Sequence, residues 1–113
     1  MLSELSERIK DFNNCRDWNK FHNPKNLAIG INLESSELLE IFIWLSEFES
    51  QNLTSEQLKR IKDEIGDIMI YIINLSEKLK IDPIKCAFDK LIINNEKYPV
   101  EKAFGSSKKY NEI

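Results

Sequence analysis

Apolar residues recur at every third or fourth position along nearly the whole chain, the spacing that gives an α-helix one buried face. Leu2, Leu5, Ile9 and Phe12 predict a first helix of about three turns, after which Asn13 to Asp17 break the pattern. Asn23-Pro24 is a helix start, with Asn as N-cap and Pro in the first turn. From it Leu27, Ile31, Leu38, Ile41, Leu45 and Phe48 share one stripe, predicting a second helix over 24–49. Ser50 to Leu53 reads as a loop. Thr54 followed by Gln57 is a capping-box pattern and opens a third helix over 55–80. Asp82-Pro83 opens a fourth, which runs to Lys97 and is stopped by Tyr98-Pro99. The polar tail, 100–113, is expected to be loose or ordered by a ligand or a neighbouring subunit. With 3 Gly and 3 Pro in 113 residues, a turn-dense β-sandwich is disfavoured. The expectation is an all-α chain of four helices, two of them long, forming a single domain over 1–113.

The two long helices carry more apolar surface than the three partner helices of one small chain can hide. Leu39 and Ile43 lie roughly opposite the stripe of the second helix, and Ile68 to Ile73 is apolar on every side of the third. A second copy of the chain is the expected cover. A homo-oligomer follows, a tetramer ahead of a dimer.

Composition removes several functional classes. Sixteen basic against 19 acidic residues give a net charge of −3, the wrong sign for a duplex-DNA binder, so no nucleic-acid polymer is expected as partner. No phosphate-binding glycine loop of the G-x-x-x-x-G-K-[ST] type occurs. The first residues, MLSELSERIK, hold no apolar core of signal type, and the longest apolar run, Ile68 to Ile73, is far short of a bilayer span. Cys15 and Cys86 stand in no ligand-spacing motif and are expected as reduced thiols. A cytoplasmic protein without a membrane partner is the expectation.

The informative residues are acids placed where apolar residues belong. With Glu34 at 0° on the second helix, Glu37 falls near about −60°, Leu38 near +40° and Ile41 near −20°. With Glu64 at 0° on the third helix, Asp67 falls near about −60°, Ile68 near +40° and Tyr71 near −20°. Both acid pairs therefore lie inside a core stripe, whereas Glu40 falls off it. Ionised carboxylates on a core face are costly unless paired or metal-bound, and few basic residues share these arcs. A hard divalent cation resolves the conflict, and an all-carboxylate set without His or Cys points to Mg²⁺. A di-iron carboxylate bundle is disfavoured because its E-x-x-H ligands are missing. The metal candidates are Glu34, Glu37, Glu64 and Asp67.

At these residues the sequence resembles the MazG-like nucleotide pyrophosphohydrolases, nearest their dCTP pyrophosphatase subgroup. The family's E-x-x-E and E-x-x-D stand here as Glu34-Ser-Ser-Glu37 and Glu64-Ile-Gly-Asp67. The subgroup's R-D-W-x-x-F-H-x-P-x-N-L is Arg16 to Leu27, and helix four matches from Lys90 through Asn94 to Tyr98-Pro99. The resemblance implies cleavage of a nucleoside triphosphate between its α- and β-phosphates, with Mg²⁺ on the four acids. It implies a nucleotide pocket built from Trp18, Phe21, His22, Trp44, Tyr71 and Asn94, with Lys90 as a phosphate contact. Glu37 or Glu34 would activate water. A dCTP-like pyrimidine is the leading substrate. Where the subgroup can carry a base-pocket His this chain has Ile9, which leaves dUTP or a damaged purine as rivals. A non-catalytic nucleotide-sensing or dimerisation module is the alternative of another class.

Overall fold

The computed structural model describes residues 1–113 and is helical, without strands. Six helices follow one another: α1 (Leu2–Cys15), α2 (Pro24–Phe42), α3 (Glu47–Gln51), α4 (Ser55–Leu79), α5 (Pro83–Lys97) and α6 (Val100–Ala103). A 3-10 turn, Trp18–Phe21, joins α1 to α2. The chain forms two compact units, Met1–Lys80 and Ile81–Ile113.

In the first unit α2 lies along α4, and α1 touches α4 and the 3-10 turn. Leu27 and Ile73, at 1% and 2% exposure, are its best-buried side chains, with Ile9, Ile41 and Ile61 beside them. The N-caps follow from local chemistry. Asn23 Oδ1 accepts the Asn26 amide at 2.9 Å. Thr54 and Gln57 exchange both bonds of a capping box, at 2.9 and 3.1 Å. Each cap satisfies backbone donors that the first turn leaves free.

Two expectations in this unit are corrected. The second helix does not run to residue 49: it ends at Phe42, and Ile43 to Leu45 form a turn. Ser46 then caps α3, taking the Glu49 amide at 3.1 Å while Glu49 Oε1 accepts the Ser46 amide at 2.9 Å. The groups that would continue α2 are used to start a new helix. The first helix also does not stop at Phe12 but continues through Cys15, because Asn13 is buried in its last turn with its amide bonded inside the protein.

Gly30 shows why a helix interior tolerates a poor helix former. It is buried where α2 meets α4, and a Cβ there would sit 2.6 Å from Tyr71 Cδ1 and 2.7 Å from its Cζ. Gly30→Ala is therefore expected to destabilise. The usual helical gain of about 1 kcal/mol is outweighed by an overpacking cost of about 1–3 kcal/mol. A thermal melt reads the sign, and a raised Tm would contradict this packing. Lys80 caps the end of α4 in the left-handed region, at φ 57° and ψ 44°. There a Cβ costs about 1–2 kcal/mol that glycine avoids. Lys80→Gly is expected to raise Tm by roughly 4–8 °C, measured by the same melt.

In the second unit Asp82 Oδ1 caps α5, accepting the amides of Ile84 at 2.8 Å and Lys85 at 3.3 Å. The helix ends at Lys97, as the following Tyr98-Pro99 requires. The tail is not wholly loose: Val100–Ala103 forms a helical turn, and the Tyr110 ring returns to Tyr98, centroids 6.3 Å apart. Both cysteines are free and exposed. No helix is long and apolar enough to cross a membrane.

Candidate active site

The acids come together. One carboxylate oxygen from each of Glu34, Glu37 and Glu64 lies within 4.8 Å of the others, across the α2–α4 contact. Glu34 and Glu64 are half-buried, and Glu37 and Asp67 are exposed. The Oε2 atoms of Glu34 and Glu64 are sealed from solvent and have no hydrogen-bond partner. The ion pairs are elsewhere, Lys20 with Asp17 and Lys85 with Asp89. No basic side chain neutralises the cluster.

The electrostatics register this crowding. Glu34 is pushed up to about 7, first by desolvation and then by its bonded contacts with Glu64 and Glu37 and by the charges of Glu37 and Asp67. Glu64 is also raised, chiefly by desolvation, with the Glu37 and Asp67 charges adding to it. Burial and repulsion both favour a proton held between the two helices. A divalent cation meets the same need. The donors are hard oxygens, two are without partners, and no cationic side chain competes for them. The residues present fit such an ion.

Beside the acids opens a cavity of about 450 Å³, lined at one end by Glu34 and Asp67. Phe12, Trp18 and Tyr71 supply aromatic walls, with Ile9 and Ile70 between them. Trp18 meets the Phe12 ring edge-on at 5.4 Å and the His22 ring at 6.5 Å. Asp17 sits in the left-handed region, φ 54° and ψ 37°, and this turn swings Trp18 and His22 back over the end of α1. His22 lines the cavity, and its Nδ1 is buried without a partner. Burial and the nearby charge of Lys78 hold its pKa below the usual imidazole range, so the ring is neutral at pH 7.

Of the residues singled out from sequence, Glu34, Asp67, Trp18, His22 and Tyr71 line this one cavity, with Glu37 and Glu64 in the acid cluster next to it. Phe21 ends the 3-10 turn, is exposed, and does not line the cavity. Trp44 stands in the turn after α2 at 89% exposure, outside the cavity. Lys90 and Asn94 are one helical turn apart on α5, in the second unit. Ile9, which replaces a subgroup His, does line the cavity. Five lining residues had no functional signal of their own. Arg8 reads as an ordinary charge, and Phe12 and Ile70 as ordinary core residues. Asn13 and Asn74 are 61 positions apart, and only the α1–α4 contact joins them.

Residues 29–113 match the model of the MazG-like family. The chain belongs to the MazG-like family. The human dCTP pyrophosphatase 1 is 31% identical over 99% of the chain, which covers 67% of that relative. The bovine dCTP pyrophosphatase 1 is 30% identical over the same share, with 68% of it covered. A crystal structure of a pyrophosphatase from Archaeoglobus fulgidus superposes with a TM-score of 0.82 at 38% identity, covering 86% of this chain and 91% of that one. In this MazG-like chain α2 and α4 bring Glu34, Glu37 and Glu64 together, and Asp67 lines the cavity beside them. MazG-like pyrophosphatases are generally dependent on a divalent metal, and the Glu34–Glu37–Glu64 cluster offers the place for one.

Proposed function

We propose that this chain is a Mg²⁺-dependent nucleotide pyrophosphohydrolase that cleaves a pyrimidine deoxynucleoside triphosphate, dCTP foremost, to its monophosphate and pyrophosphate. Family membership and the named relatives support a nucleotide pyrophosphohydrolase. One observation carries the site: three converging carboxylates, two with sealed and unpartnered oxygens, stand beside an aromatic cavity that Glu34 itself lines. Acids so placed have a use if they hold a cation, and the cavity has a use if it holds a base.

Glu34, Glu37, Glu64 and Asp67 would hold Mg²⁺, which when bound offsets triphosphate charge and polarises phosphorus. Of the two candidate bases, Glu34 has an oxygen sealed beside Glu64, whereas Glu37 faces solvent. Glu37 is thus the one open to a water molecule. It takes the proton as the water oxygen bonds to phosphorus. The bridge between the α- and β-phosphates breaks, and its electron pair leaves with pyrophosphate. Trp18 and Tyr71 flank the base, a stacking contact worth about 1–3 kcal/mol. His22 adds a neutral ring to the cavity wall beside the base. Phe21, Trp44, Lys90 and Asn94 keep the substrate roles that the resemblance implies.

The exposed apolar residues Ile29, Leu33 and Leu39 on α2, and Ile65 and Met69 on α4, support a homo-oligomer. A cytosolic nucleotide-pool enzyme is the role we infer. The deciding assay incubates the chain with Mg²⁺ and each dNTP separately and identifies products by chromatography. Monophosphate with pyrophosphate, fastest from dCTP, is the expected result. Equal turnover of all four bases defeats the pyrimidine assignment, and no turnover by the folded protein defeats the enzyme.

A further inference from the structure

At the end of the cavity away from the acids, two buried amides face each other. Asn13, at 5% exposure in the last turn of α1, donates from Nδ2 to Oδ1 of Asn74, at 9% exposure on α4, over 2.8 Å. Both residues line the cavity. A buried amide normally satisfies all its hydrogen-bonding groups, because an unmet one costs as much as a lost bond. Here the mutual bond is the one side-chain bond each makes, and neither residue has a sealed orphan atom. The outer amide atoms therefore open on the cavity. Whichever way the two amides are turned, the pair presents one carbonyl oxygen and one amino group side by side.

Register along α4 fixes what lies between this pair and the acids. Asp67, Tyr71 and Asn74 share one face, so the amides stand about 10 Å along the axis from Asp67. That is the length of a nucleoside, not of a bare phosphate, and the wall between is the Tyr71 ring. The mutual bond also holds each amide at one angle, so the pair meets a ligand already oriented.

We propose that Asn13 and Asn74 form a base-reading pair, a specificity-determining element that pairs with the adjacent donor and acceptor on a pyrimidine edge. This rests on the reading of the site as a nucleotide pyrophosphohydrolase. Cytosine offers such an edge at its 4-amino group and N3. The role differs from catalysis: the pair ranks bases and leaves the phosphate chemistry alone.

The test is the double variant Asn13→Ala/Asn74→Ala, which removes both partners and leaves no orphaned amide. kcat/KM is measured for dCTP, dUTP, dATP and dGTP, with inorganic tripolyphosphate as a substrate without a base. The preferred pyrimidine is expected to lose about 10- to 100-fold, with tripolyphosphate unchanged and the spread between bases collapsed. A common factor across all substrates, or an unaltered ranking, overturns the proposal while leaving the enzymatic reading intact. A second measurement uses the wild-type chain and is independent of how the variant folds. The side-chain amide resonances of Asn13 and Asn74 are expected to shift on adding dCMP and to stay still on adding deoxyribose 5-phosphate. Equal response to both, or to neither, overturns the pair. If the wild-type chain turns over no nucleotide, the reaction fails on that account, and the resonance experiment decides the pair.

Discussion

Replacing Glu34 by glutamine is expected to lower kcat/KM by about a thousandfold while raising the Tm of the metal-free protein at pH 8. The two effects have one cause. Glu34 is the half-buried carboxylate with an unpartnered oxygen, next to Glu37 and Glu64. At pH 8 Glu34, pushed up to about 7, has given up most of its proton and adds its charge to the cluster. Removing one charge relieves repulsion that nothing else in the cluster offsets. The same change removes a cation ligand, and losing several kcal/mol of charge stabilisation in the transition state is worth about three decades of rate. Tm and turnover measured on one preparation decide it. A variant that loses activity and also melts lower would show that Glu34 supports the fold, not the site. Glu34→Asn would shorten the side chain and add a cavity, so Glu34→Gln, with the longer amide, is the cleaner probe.

Without divalent cation, stability is expected to fall as pH rises from about 4.5 to about 7, and Mg²⁺ is expected to restore it. The folded chain holds protons on Glu34 and Glu64 more tightly than the unfolded chain, where both groups have ordinary values. Folding therefore takes up protons in this window, and the free energy of unfolding declines with pH. Below the unfolded value both states are protonated, and the difference vanishes. Above the folded value the penalty is complete. A cation that binds only the folded state adds about 2.7 kcal/mol at a hundred times its Kd. For a domain of this size that is a Tm rise of roughly 10–20 °C. Melts at pH 5, 6, 7 and 8, with and without millimolar Mg²⁺, provide the measurement. A flat metal-free profile with no Mg²⁺ shift would falsify the carboxylate site.

Much of this arrangement was legible because helices are local objects. Asn23, Thr54 and Asp82 announce three helix starts, and each makes the cap its residue type predicts. The acids were legible because they interrupt an apolar stripe, a conflict visible in one dimension. The break after Phe42 was also written there, since Ser46-Glu47-Phe48-Glu49 repeats the cap pattern read at Thr54. The apolar stripe running on to Phe48 concealed it, and Phe48 is exposed. What could not be read depends on contact between helices. Gly30 looks like a weakness of α2 until the Tyr71 ring fills the missing Cβ. Asn13 looks like a helix breaker until Asn74 arrives from 61 residues away. Trp44 looks like a pocket aromatic because it follows an acid pair, but the turn carries it out of the first unit's cavity.

The sealed, unpartnered oxygens of Glu34 and Glu64 have a calorimetric consequence. Near neutrality the cluster retains a proton that a cation must evict, so loading the site discharges acid into the medium. The apparent heat of binding then includes the ionisation heat of whatever buffer accepts that proton. Titrations in phosphate and in Tris will give different enthalpies for one and the same event. The slope of observed enthalpy against buffer ionisation enthalpy counts the protons released. Between pH 6 and 8 that count is expected to decline as Glu34 empties on its own, so a bound cation would cost the least acid in mildly alkaline solution.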